Sequence, residues 1–140
     1  MADQTYTLNN VTYTLMEDLP VFIGVSQPGY SIAKDWDPGV AEMIRILDAQ
    51  EEPLFYITDI RTLKVSLEDV IAAANLGSRG QDPIWHHPKI RGVYFVSNSK
   101  MVELAAKGLR SPVFGNAMVK VLDTVEKALE DIEHVLASES

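Results

Sequence analysis

Leu54-Phe55-Tyr56-Ile57-Thr58 is the stretch on which the fold turns. It is apolar or β-favouring throughout and lacks the polar/apolar alternation of a strand with one wet face. Such a run is buried on both sides, as strands of a parallel sheet are. The flanks supply the covering layers. Before it, Trp36, Val40, Met43, Ile44 and Leu47 recur at helical spacing to about Gln50, where Glu51-Glu52-Pro53 ends the segment. Asp35 or Asp37 is placed to cap that helix, with Pro38 in its first turn. After it, Ser66 precedes Leu67, Val70, Ile71 and Ala74, with Asp69 three residues on, a short-armed capping box. Gly77 and Gly80 are expected to stop this second helix.

The same logic extends in both directions. Val21-Phe22-Ile23-Gly24-Val25 and Gly92-Val93-Tyr94-Phe95-Val96 are further buried-type runs, and Met118-Val119-Lys120-Val121-Leu122 reads as a last strand. Asn98 or Ser99 opens a short helix with Met101, Leu104 and Ala105 inward. Asp123 with Glu126 caps a final helix whose core face is Val125, Ala128, Leu129, Ile132, Val135 and Leu136. At the start, Tyr6, Leu8, Val11, Tyr13 and Leu15 alternate with Thr or Asn around Asn9-Asn10, a residue pair suited to a two-residue primed turn. The expected register sets Leu8 opposite Val11 and Tyr6 opposite Tyr13. The fold class is therefore α/β, an N-terminal β-hairpin followed by alternating strands and helices. A mixed, mainly parallel sheet of about five to six strands with about four helices follows from that order.

The 140 residues make one domain, with a core over about 5–136. Hydrophobic residues at 46% and charged residues at 23% are those of an ordinary globular chain. No stretch approaches the roughly 18 apolar residues of a membrane span. The first residues, Met1-Ala2-Asp3-Gln4, lack the basic start and apolar run of a signal peptide. With no cysteine, disulfides and thiolate metal sites are excluded, and a cytoplasmic setting is expected. The net charge of −8 argues against general affinity for nucleic acid. Residues 61–120, with nine Lys/Arg against four Asp/Glu, form a locally basic stretch that suits an anionic ligand or partner.

Leu54–Arg61, then Ile90-Arg91-Gly92-Val93-Tyr94-Phe95-Val96, then Val119-Lys120-Val121-Leu122-Asp123 before Ala128-Leu129, in this order after a hairpin, resemble the STAS superfamily. The SpoIIAA-like branch is the nearest. The resemblance implies a non-enzymatic protein-interaction or regulatory module, with a protein partner or a homodimer. Anti-sigma antagonists of that superfamily carry a phosphorylatable serine in an Asp-Ser-Ser-Gly-like run, and Leu63-Lys64-Val65-Ser66-Leu67-Glu68-Asp69 lacks it. Ser66 is the nearby hydroxyl and the only phosphorylation candidate there, and capping explains it without phosphate.

Residues that could bear chemistry are few. Gln81-Asp82-Pro83-Ile84-Trp85-His86-His87-Pro88 is the oddest run, but adjacent histidines diverge in regular structure and a third ligand is missing. No metal and no cofactor is expected. Trp85, His86, His87 and Phe114 are candidates to wall a small-molecule or lipid site, an apolar cleft near the 78–91 and 109–116 loops. Asp59 and Arg61 join them because connections at the carboxyl ends of parallel strands, here 59–65, 97–100 and 123–124, are the usual ligand sites of open α/β sheets. No Gly-x-Ser-x-Gly elbow or phosphate-cradling loop is present, so an enzyme is not expected.

Overall fold

The structure, a computed structural model, describes residues 3–79 and 83–139, without the side chains of Arg79 and Phe114. Its elements follow the chain as β1 (Gln4–Leu8), β2 (Val11–Leu15), β3 (Val21–Ser26), α1 (Ile32–Asp48), β4 (Leu54–Asp59), α2 (Leu67–Arg79), β5 (Ile90–Val96), α3 (Lys100–Leu109), β6 (Val119–Leu122) and α4 (Val125–Glu139). Two 3-10 turns, Ile84–His86 and Pro112–Phe114, interrupt the loops before β5 and β6. The six strands lie side by side in sequence order. β2 pairs antiparallel with β1 on one side and β3 on the other, and β3 to β6 run parallel. The mixed sheet with four helices has the architecture expected from the alternation of buried runs and amphipathic segments.

The hairpin has the register set by its pattern, Leu8 opposite Val11 and Tyr6 opposite Tyr13. Asn9 alone of its turn pair takes positive φ, 49°, which asparagine tolerates better than most residues. β4 is buried at every position, as a central strand covered on both faces must be.

The two faces divide the core. Phe55, Ile57, Tyr94 and Val96 pack with Ala128 and Ile132, so α4 covers one face. Tyr13, Phe22, Tyr56, Val93 and Phe95 face the other, packed with residues of α1, α2 and α3. One helix seals the first face and three cover the second. No helix among the described residues is long and apolar enough to cross a membrane.

Helix boundaries depart from expectation in instructive ways. α1 starts a turn early: Ser31 caps it, its hydroxyl accepting from Lys34 N–H. Asp35 acts one turn on, accepting from the Ser31 N–H at 2.9 Å, and Pro38 lies inside the helix. Asp123 does not cap α4; the Thr124 hydroxyl accepts from Lys127 N–H instead. Gly77 does not stop α2 but lies within it, while Gly80 falls outside the described residues. In α3, Val102, Ala106 and Leu109 are buried, and Leu104, expected inward, is 66% exposed. The Ser66–Asp69 box forms as read, Ser66 Oγ accepting from Asp69 N–H at 3.1 Å and Asp69 Oδ2 accepting from Ser66 N–H at 3.2 Å.

Candidate functional site

The three-helix face is not solidly filled. A cavity of about 470 Å³ lies between the sheet and α1, α2 and α3. It sits toward the carboxyl ends of β3, β4 and β5, where Ser26, Thr58 and Phe95 reach it from the strands. Ligand sites of open α/β sheets occupy this end because the connections leaving the strands diverge there. Volumes of 300–1,000 Å³ with mainly apolar walls are typical of small-molecule sites.

The walls are aromatic and aliphatic. Trp36 of α1 meets Trp85 edge-on with ring centres 6.0 Å apart, and Trp85 meets Phe95 edge-on at 5.2 Å. Tyr13 and Tyr56 reach the cavity from β2 and β4, with Phe22 of β3 packed between them beneath the wall at centroid distances of 5.3 and 5.6 Å. Met43, Val70, Ala73, Val102 and Leu109 complete the helical side. Trp85 enters this layer from the 3-10 turn because Gly77 lets it: a Cβ on Gly77 would lie 2.5 Å from the indole.

Polar groups are few and placed at the ends. Thr62 and Lys64, both exposed, and Asp69 mark the rim formed by the β4–α2 connection. Tyr13, Tyr30 and Tyr56 lie together beneath the start of α1 and influence one another electrostatically. Burial, then the neighbouring phenols and the Asp35 carboxylate, push the Tyr13 and Tyr30 hydroxyls up. Burial likewise pushes Tyr56 up to about 12, with the Thr58 hydroxyl acting weakly the other way. All three phenols are therefore neutral hydrogen-bond donors at physiological pH.

The residues singled out from the sequence separate. Trp85 lines the cavity and is 8% exposed. Asp59 and Arg61 do not reach it. Asp59 continues the Phe55–Ile57 face, where it accepts two bonds from the Arg61 guanidinium, at 3.0 and 2.8 Å, and one from the Arg61 N–H. Asp123 and Glu126, at the start of α4, bear electrostatically on Arg61. His86 is exposed and lies against Gly115, where a Cβ would meet its Nε2 at 2.9 Å. His87 turns the other way: its Nδ1 accepts from Lys89 N–H, which leaves Nε2 to donate to Asp48 at 3.0 Å. The adjacent histidines thus serve separate contacts, and no three His, Cys, Asp or Glu side chains gather among the described residues. Asp82 and the Phe114 side chain lie outside what the structure describes. Ser66 is exposed, its hydroxyl engaged by the cap.

The sequence did not single out Tyr13, Tyr30, Tyr56 or Trp36 as site residues. Each reads as a core aromatic on its own strand or helix. The signal that could have found them is composition, since three tyrosines and two tryptophans face one sheet side where Leu and Val would fill a plain core.

No protein-family model matches the chain, and no curated protein matches it. A solved crystal structure does: an uncharacterised protein of the DUF3478 family from Shewanella loihica, described as having a SpoIIAA-like fold. The TM-score is 0.52 at 16% identity, over 94% of this chain and 92% of that one. At that identity the likeness extends to the fold alone. The hairpin, the sequential six-stranded sheet and the single helix on one face together make this a SpoIIAA-like fold.

Proposed function

We propose that the protein is a non-enzymatic module that binds a small, largely apolar molecule in the cavity beneath α1, α2 and α3. The supporting observation is the cavity itself, about 470 Å³ walled by Trp36, Trp85, Phe95 and Met43. A core of this size would close such a volume if packing alone were its purpose, because each unfilled methylene weakens it. Among the described lining residues the acids and bases are Asp69, Lys64 and the tyrosines, and Asp69 is committed to the Ser66 N–H. That inventory favours binding over chemistry. Native mass spectrometry of gently purified protein tests the reading. A retained small molecule, released on denaturation, is expected; repeated recovery of bare chain together with no thermal shift from apolar compounds would rule it out.

A second reading, as a protein-interaction module, draws on a separate observation. Leu67 and Ile71 on α2 and Leu104 on α3 are more than half exposed, on the two helices that wall the cavity. Exposed apolar side chains on the outside of the cavity wall would give a partner, or a second copy, a surface next to the bound molecule. Light scattering with and without an apolar ligand tests this: a ligand-dependent change of mass supports it, and a monomer throughout, with no partner captured, opposes it.

A further inference from the structure

The phenols of the cavity are gathered together, and the charges bearing on them are negative. Tyr13 comes from β2, Tyr56 from β4, and Tyr30 from the turn before α1. Glycines make room for two of the phenols. The Tyr56 hydroxyl would lie 2.8 Å from a Cβ on Gly24, and the Tyr13 hydroxyl 2.8 Å from a Cβ on Gly39. Among the described residues no protein hydrogen bond engages the Tyr13 or Tyr30 hydroxyl, and no fully buried polar side-chain atom lacks a partner. Both hydroxyls therefore keep access to the cavity's open space. The charged groups that bear on them are carboxylates, Glu42 and Asp35 for Tyr13, and Asp35 for Tyr30. Asp35 is buried and already accepts from the Ser31 N–H and the Asn10 amide. Arg45, the cation nearest Glu42, is spent in an ion pair with it on the surface.

Resting on the reading that the cavity holds an apolar molecule, we infer that it selects ligands whose buried end is an uncharged oxygen group, an alcohol, ketone or ester, over carboxylates of the same length. An uncharged oxygen accepts from the phenols and completes their hydrogen bonding. A carboxylate there would be desolvated beside Asp35 and Glu42 with no cation to balance it. The reversed pose, carboxylate at the rim beside Lys64, gains little because an exposed ion pair is screened by water. It would also leave Tyr13 and Tyr30 facing hydrocarbon, their hydroxyls stripped of water and unpaired.

The test is a titration of the full chain with dodecanol, methyl decyl ketone and dodecanoate at pH 8, read by the fluorescence of Trp36 and Trp85. The alcohol and ketone are expected to bind at least about tenfold tighter than the carboxylate. Tyr13→Phe should erase most of that preference, and Tyr30→Phe, at a half-buried position, serves if the first variant does not fold. Equal or tighter binding of dodecanoate, or dodecanoate binding that weakens in Lys64→Met, would overturn the inference while leaving the cavity reading intact. Failure of all three compounds to bind would remove both.

Discussion

The indole of Trp85 occupies the space that a side chain on Gly77 would need, 2.5 Å from where the Cβ would be. A glycine inside a helix normally weakens it by about 1 kcal/mol relative to alanine. Here the relationship is inverted, because the body of the Trp85 ring, not the tip of a flexible chain, fills the Cβ position, held edge-on by Trp36 and Phe95. Gly77→Ala is expected to destabilise the fold by about 1–3 kcal/mol, as overpacking does. A urea midpoint equal to or above that of the wild type would show that the indole moves aside freely.

The Asp59–Arg61 pair makes acid stability a second readout. Burial pushes the Asp59 carboxyl up, but the side-chain and backbone N–H groups of Arg61 together outweigh it and hold the carboxyl below its ordinary value. A carboxyl lowered in the folded state contributes stability above its unfolded pKa, and that contribution is lost as pH falls through the folded one. Asp131, held down by Lys120 and then Tyr94, acts in the same direction. Asp59→Asn is therefore expected to cost about 1 kcal/mol at neutral pH, a low figure because the Arg61 side chain is 38% exposed and screened. The difference from wild type should shrink below about pH 4. Denaturation curves at several pH values would reveal it, and a difference constant down to pH 2 would refute the assignment.

Ser66→Ala tests the role of the hydroxyl at the head of α2. Loss of the reciprocal bond with Asp69 is expected to cost about 1 kcal/mol. In a cycle with Asp69→Ala the two losses should be less than additive, since each mutation removes part of the same box. Strict additivity would mean that the two residues act independently.

The two faces of α3 can be told apart by truncation. Leu109→Ala is expected to cost about 2–5 kcal/mol, the range for a fully buried leucine. Leu104→Ala, at an exposed position, should stay within about 0.5 kcal/mol. Comparable losses at both sites would show that Leu104 is covered in solution.

That last contrast also shows where sequence reasoning reaches its limit. The hairpin register, the Ser66 box and the inward face of α4 were legible because each rests on neighbours close in sequence with a clear period. α3 was not, because Met101, Val102, Leu104, Ala105, Ala106 and Leu109 spread apolar residues around most of ten positions. The cavity was less legible still. Its walls come from β2, β3, β4, β5, three helices and the Ile84–His86 turn, and most of the residues are indistinguishable from ordinary core. The cavity lies toward the carboxyl ends of the strands, yet Asp59 and Arg61 point away from it. Strand side chains alternate, so Thr58 faces the cavity, joined by Ile60 and Thr62 of the connection that follows, while Asp59 packs on the α4 side.

The unequal covering of the sheet has a volumetric consequence. Walls so largely apolar pack water loosely, so the folded chain takes up more room than its atoms require. Hydrostatic pressure favours whichever state eliminates such empty space. The three-helix side should yield to compression first, while the layer sealed by α4 holds. A bound guest would remove the excess volume, so occupancy would appear as resistance to pressure even where heating registers little change.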